Sequence, residues 1–199
     1  YADFVLESPL AEIAGRLMGA DKINLFNDHL FVKEPGTPGS RVPWHQDQPY
    51  CAVKGRQFCS TWVPLDPVPQ ETTVEYILGS HLWDRWFAPF DALSDDAQHG
   101  SQEFERIPDF EAERDKHRIA SWTLEPGDCL AFHALVVHQG MANATTSTRR
   151  RAVIGRFLGD DAVYAKRDPL CEFPHNPPPL ENGEPLGNAP EDFPPVWHN

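Results

Sequence analysis

Pro126-Gly127-Asp128-Cys129-Leu130-Ala131-Phe132-His133-Ala134-Leu135-Val136-Val137-His138-Gln139-Gly140 opens with turn residues, runs through apolar and β-branched side chains and closes on a glycine. Pro-Gly-Asp supplies the turn, and the run behind it reads as a strand over Cys129 to His138. The same pattern recurs along the chain. Ile23 to Lys33 is rich in β-formers and ends in the Pro/Gly/Ser cluster from Pro35 to Ser40. Val42 to Tyr50, Gln57 to Pro64, Thr73 to Leu78, Arg118 to Leu124 and Arg150 to Leu158 are further strand candidates. Six or seven short strands with irregular connections select a mainly β fold, a sandwich or jelly roll, over alternating βαβ units. One amphipathic helix precedes them: Ser8 and Pro9 read as N-cap and first helical residue, and Leu10, Ile13, Ala14, Leu17 and Met18 repeat at helical spacing before Gly19.

Two segments lack this pattern. Trp83 to His117 is charged and weakly periodic, which suits a short helix with loops or a surface lid. Asp168 to Asn199 is proline-rich with little periodic apolar content and reads as an extended tail laid over the surface or partly mobile. Residues 1–167 are therefore expected to form one β domain and residues 168–199 a proline-rich tail packed on or near it. The chain begins with Tyr1 instead of Met and is expected to be truncated at its N-terminus.

A length of 199 residues makes a single domain the default. The net charge of −13 works against a partner held through phosphate contacts, so a nucleic-acid binder is not expected. No apolar run approaches the roughly 18 residues of a membrane-spanning helix. Cys51, Cys59, Cys129 and Cys171 show no CxxC spacing and no secreted framework, and they are expected to be reduced in a cytoplasmic protein.

The chemistry concentrates in three places. In Trp44-His45-Gln46-Asp47-Gln48, strand alternation would send His45 and Asp47 to one face, where imidazole and carboxylate suit a borderline divalent metal. A second imidazole would complete a two-His-one-carboxylate facial triad. His133 and His138 are the candidates, on opposite faces if their strand is regular. His138 sits beside Gly140, where a strand opens into a loop; His133 fits a hydrogen-bonded core histidine equally well. Arg149-Arg150-Arg151 then enters a strand about a dozen residues after His138. Period two places Arg150 with Ala152, Ile154 and Arg156, so a guanidinium can face inward toward a carboxylate, and the pattern does not separate Arg150 from Arg156.

Five blocks together resemble the phytanoyl-CoA dioxygenase-like Fe(II)/2-oxoglutarate oxygenases. They are Trp44-His45-Gln46-Asp47-Gln48-Pro49-Tyr50; Ser60-Thr61-Trp62-Val63-Pro64-Leu65-Asp66-Pro67-Val68; Gly79-Ser80-His81-Leu82-Trp83; Gly127-Asp128 through His138-Gln139-Gly140 with Asn143; and Arg150-Arg151-Ala152-Val153 leading to Gly159-Asp160-Asp161-Ala162. The resemblance implies a double-stranded β-helix (jelly roll) with flanking helices and an iron held by His45, Asp47 and His138, with His133 a preceding strand residue. It gives Arg150 the 2-oxoglutarate carboxylate, with Arg149 as the alternative by counting from the distal histidine, and it places Gln46 and Trp62 along the cosubstrate. The implied partners are 2-oxoglutarate, O2 and a small organic metabolite, hydroxylated as the keto acid becomes succinate and CO2. Related halogenases leave the carboxylate position vacant for halide, so Asp47 implies oxidation without halogenation. A CoA ester would need a basic mouth, for which only Lys33, Lys54 and Arg56 lie near in sequence, and the acidic chain favours a smaller substrate. Asn27 and His29, on one strand face, and Tyr50 are candidates for polar contacts. Two other readings stand beside this one: a cupin-type metal protein that does not use 2-oxoglutarate, and a non-catalytic binding protein on the same fold.

Overall fold

Local sequence builds the lead-in as two short helices, α1 (Ala2–Glu7) and α2 (Leu10–Met18), in a computed structural model that describes residues 2–89, 104–143, 145–167, 174 and 176–199. Gly19 ends α2 in the left-handed conformation that glycine adopts without steric cost. Pro9 stands at the helix start without a side-chain cap, so Ser8 does not cap it, and α1 lies where no helix is expected from periodicity.

The strands follow in chain order: β1 (Lys22–Lys33), β2 (Val42–His45), β3 (Val53–Lys54), β4 (Phe58–Pro64), β5 (Val74–Ile77), β6 (Ile119–Ala120), β7 (Leu130–His133), β8 (His138–Gly140), β9 (Arg150–Leu158), β10 (Val163–Tyr164) and β11 (Pro195–His198). They form a five-stranded sheet in the order β11-β1-β9-β4-β7, a four-stranded sheet β2-β8-β5-β6 and a β10-β3 pair, all antiparallel. This is the expected mainly β jelly roll.

Alternation along β4 and β9 sets the two faces of the large sheet. Cys59, Val63, Val153 and Phe157 pack outward with Leu10, Ala11 and Ala14 of α2. Trp62 and Phe132 project the other way and meet Val74 and Tyr76 of the small sheet. A cavity lined by residues of both sheets lies between them.

Two expectations change here. Cys129 to His138 is not one strand. β7 belongs to the large sheet and β8 to the small one, and the chain crosses between them over Ala134 to Val137, all buried. A continuous apolar run conceals such a crossing, because its residues stay buried on either side. The proline-rich tail, in its described part, is built into the fold. Leu186, Ala189 and Phe193 are buried in a cluster with Phe26 and Phe58, and β11 extends the large sheet beside β1. The Phe193 ring stacks on Phe26 at 5.6 Å. Helix α2 approaches β11 so closely that a Cβ on Gly15 would lie 2.4 Å from the Trp197 ring, so only glycine fits there.

Of the expected lid, residues 90–103 lie outside the described residues; Phe87 and Phe110 are core side chains around Trp44. Cys51, Cys59 and Cys129 are free thiols, and Cys171 lies outside the described residues. No described helix is long and apolar enough to cross a membrane.

Candidate metal centre and cosubstrate cavity

Strand pairing brings the two candidate imidazoles together: β2 and β8 are antiparallel neighbours with His45 directly opposite His138, and the ring centroids are 4.1 Å apart. Each ring is fixed by its own backbone two residues back. Nδ1 of His45 donates to Pro43 O at 2.8 Å, and Nδ1 of His138 donates to Val136 O at 2.9 Å. A carbonyl only accepts, so each Nδ1 carries the proton and each Nε2 presents a lone pair. Both Nε2 atoms face the same carboxylate oxygen, Asp47 Oδ1, at 3.8 Å from His45 and 4.0 Å from His138.

Asp47 reaches that point by a different route from strand alternation. β2 stops at His45, and Asp47 has helical dihedrals (φ −73°, ψ −43°) at the start of a short turn. Ala134 O, in the crossing segment, accepts the amides of both Asp47 and Gln48, which pins the turn beneath β8. Ser60 Oγ of β4 donates to Oδ2 at 2.6 Å, and Arg156 Nη2 of β9 donates to Oδ1 at 2.8 Å. Arg156 is itself held by Asn27 Oδ1 and His29 Nδ1 from β1.

His45, Asp47 and His138 thus offer two nitrogens and one oxygen within 4.8 Å of one another. Metal–ligand bonds of about 2.1 Å span such a group after a small contraction. Two neutral imidazoles and a carboxylate are also the donor set of a non-haem Fe(II) facial triad, so the residues fit that ion. Burial, aided by the neighbouring His138, lowers the His45 pKa to about 3, and burial likewise lowers that of His138. Burial works against ionisation of Asp47, yet the guanidinium of Arg156 and the two imidazoles hold its carboxyl well below the usual carboxylate range. All three donors are therefore deprotonated at neutral pH, the state a metal requires.

The cavity, of about 80 Å³, runs from this cluster to a second polar end, with Phe31, Val42, Trp62, Val74, Phe132 and Ile154 in its walls. Lys33 and Arg150 stand there, paired in register on β1 and β9 and each only 9% exposed. Met141 O accepts from both Arg150 Nη2 and Lys33 Nζ, and Gly140 O accepts a longer bond from Lys33. Arg150 Nη1 has no partner, and among the described residues neither cation forms an ion pair with a carboxylate. Two buried cations without a counter-charge carry a desolvation cost that a bound carboxylate offsets. Arg150 and Arg156 are six residues apart on β9, about 20 Å along the strand, so they serve opposite ends of the cavity.

The other candidates separate cleanly. Arg149 is solvent-facing and paired with Glu34. Trp62 lines the cavity, whereas Gln46 does not: its Nε2 donates to Leu135 O and Arg85 O, and its Oε1 accepts from Phe87 N, a buried brace for the loops behind the site. His133 lies in the other sheet from His138; its Nδ1 accepts from Leu135 N and its ring stacks on His81 at 5.4 Å. Sequence reasoning gave no role to Ser60 or to Arg156 as partners of Asp47, nor to Lys33 beside Arg150. For Lys33 a signal exists: a lysine ending a β-rich run.

Burial and the adjacent Arg150 lower the Lys33 pKa to about 8 from 10.5. Between these values the unfolded chain binds more protons, so this residue makes stability rise with pH from about 8 to 10.5, and below 8 its full penalty is present. Lys33→Met is expected to raise the melting temperature at pH 7 and to narrow its advantage over the parent at pH 9.5. Thermal melts of both proteins at the two pH values check this; an unchanged difference between them would refute it.

Residues 1–152 match a family model described as Phytanoyl-CoA dioxygenase (PhyH). The chain is 25% identical over 166 residues to a Caenorhabditis elegans protein named "Probable phytanoyl-CoA dioxygenase", covering 76% of this chain and 48% of that protein. It thus spans about half the length of that curated relative. Among solved structures it is similar to SnoK, a non-heme α-ketoglutarate-dependent carbocyclase from nogalamycin biosynthesis (25% identity, TM-score 0.72, 98% of this chain and 71% of that one). The epimerase SnoN, solved with Fe3+, α-ketoglutarate and nogalamycin RO, shares the fold at 21% identity and TM-score 0.71, over 98% of this chain and 73% of that one.

Proposed function

Because the chain belongs to the phytanoyl-CoA dioxygenase family, we propose that it is a non-haem Fe(II)- and 2-oxoglutarate-dependent dioxygenase that hydroxylates a small organic molecule. The observation that carries this reading is the pairing of two features in one cavity: three converging metal donors at one end and two uncompensated cations at the other. When bound, the iron and keto acid supply the oxidising chemistry, with 2-oxoglutarate and O2 going to succinate and CO2.

The chain's own residues position and protect. Pro43 O and Val136 O fix the tautomers of His45 and His138, and Ser60 and Arg156 hold the Asp47 carboxylate in one orientation. Arg150 and Lys33 would hold a carboxylate of the keto acid, in the same cavity as the three metal donors. The apolar walls from Phe31 to Ile154 keep water away from the reacting centre. A cupin-type protein without 2-oxoglutarate has no use for two buried cations, so Lys33 and Arg150 favour the oxygenase. The free thiols support a reducing compartment, and we place the protein in the cytoplasm.

Succinate formed from 2-oxoglutarate with Fe(II) and candidate substrates tests this function. Arg150→Ala is expected to raise the half-saturating 2-oxoglutarate concentration about a hundredfold, the cost of truncating one partner of a buried charge pair. Its affinity for Mn(II) should stay unchanged. Equal saturation of the variant and the parent would rule out Arg150 as the anchor.

A further inference from the structure

A second cavity, of about 300 Å³, adjoins the one described. The two share Phe132 as a common wall. The first is small: the keto acid and the ion take its polar ends, which leaves little room for an organic substrate. The second is several times larger and of a size that holds the body of a small molecule. Its walls are Tyr76, Leu78, Trp122, Leu130, Phe132 and Val136, with His81 and His133 at one side. Among the described residues, no Lys, Arg, Asp or Glu lines it.

Aromatic rings link it to the metal donors. The Tyr76 ring stacks on His138 at 5.8 Å with an interplanar angle of 16°, and the Phe132 ring lies 4.8 Å from His138 and 4.9 Å from Tyr76. A ligand in the second cavity is therefore one aromatic ring away from the donor cluster. Two polar atoms along this cavity are buried without a hydrogen-bond partner, Tyr76 Oη and His81 Nδ1. Tyr76 is only 4% exposed, and its unpartnered phenol is a costly arrangement that a ligand hydroxyl or carbonyl would relieve. Leu78 and Trp122, 43% and 45% exposed, leave apolar surface open at the cavity. Burial lowers the pKa of both His81 and His133, so the cavity's imidazoles are neutral and add no positive charge.

We infer that this second cavity holds the body of the substrate, and that the substrate is a neutral, largely apolar ring compound bearing a hydroxyl or carbonyl for Tyr76, not a phosphate-bearing CoA ester. A CoA ester brings several negative charges to walls that carry no cation among the described lining residues, in a chain of net charge −13; Arg56, whose charge is felt at His81 and His133, lies outside those walls. The inference rests on the oxygenase reading for the ligand's fate, but its binding does not need metal or keto acid.

The test follows the fluorescence of the metal-free protein as 1-naphthol, naphthalene or butyryl-CoA is added, with Mn(II) and 2-oxoglutarate binding measured on the same samples. 1-Naphthol is expected to bind more tightly than butyryl-CoA. Tyr76→Phe should weaken 1-naphthol by about three- to tenfold and leave naphthalene unchanged, the size of one hydrogen bond. Leu130→Trp, which fills the cavity, and Trp122→Ala, which removes part of its wall, should each weaken 1-naphthol at least tenfold while leaving Mn(II) affinity as it was. Tighter binding of butyryl-CoA, or 1-naphthol binding that ignores both Leu130→Trp and Trp122→Ala, would overturn the inference. Loss of Mn(II) and 2-oxoglutarate binding in the parent would instead remove the oxygenase reading and leave the cavity assignment standing.

Discussion

Asp47→Asn is expected to lower succinate formation more than a hundredfold and to weaken Mn(II) binding by a similar factor, while the chain stays folded. The side chain keeps its volume, so neither a cavity nor a clash is created. What is lost is the one negative charge in the donor set, and with it the counter-charge of Arg156, 2.8 Å away. Replacement of outer partners of a metal ligand typically costs ten- to hundredfold, and loss of a charged ligand costs more. Calorimetric titration of Mn(II) into the parent and the variant reads the effect directly. Retained affinity would show that Asp47 does not bind the ion.

Arg156→Leu is the second large effect, and it separates stability from metal binding. Arg156 is the cation that compensates Asp47, whose carboxylate is buried at 4% exposure. Removing one partner of a buried ion pair costs about 3–5 kcal/mol, because the remaining charge is left uncompensated. For a chain of this size that corresponds to a fall in melting temperature of about 10 °C. A divalent ion on His45, Asp47 and His138 replaces the missing positive charge. Saturating Mn(II) should therefore raise the melting temperature of Arg156→Leu by more than it raises that of the parent. Equal gains, or a variant melting within 2 °C of the parent without metal, would mean that Arg156 does not act through Asp47.

The legible and illegible parts of the chain divide along physical lines. Strands bounded by turn residues, such as Arg150–Leu158 and Phe58–Pro64, are visible because period-two burial and turn chemistry are both local. The crossing between Leu130–His133 and His138–Gly140 is not visible, since Ala134 to Val137 are apolar whichever sheet they serve. The tail's contribution is concealed by prolines: Leu186 and Phe193 are isolated apolar residues without a period, and only their tertiary partners reveal them. At the site, the nearness of His45 to Asp47 is written in the sequence, but the route is not; a turn, not a strand, delivers the carboxylate. Alternation along β9 puts Arg150 and Arg156 on one face without distinguishing them. Their roles depend on what stands opposite, Lys33 at one end and Asp47 at the other, and pairings that distant in sequence leave no local trace. Gln46 illustrates the converse: its neighbours in sequence are candidate metal donors, yet its amide is spent on backbone groups of two distant loops.

The decisive experiment is a two-stage calorimetric titration under argon, first Mn(II) and then 2-oxoglutarate, on the parent chain and on His45→Ala and His138→Ala. One Mn(II) should bind per parent chain, 2-oxoglutarate should bind at least tenfold more tightly once the metal is present, and both histidine variants should lose the metal. Mn(II) bound equally well by the variants, or 2-oxoglutarate affinity indifferent to the metal, would refute a shared site built from His45, Asp47, His138 and Arg150.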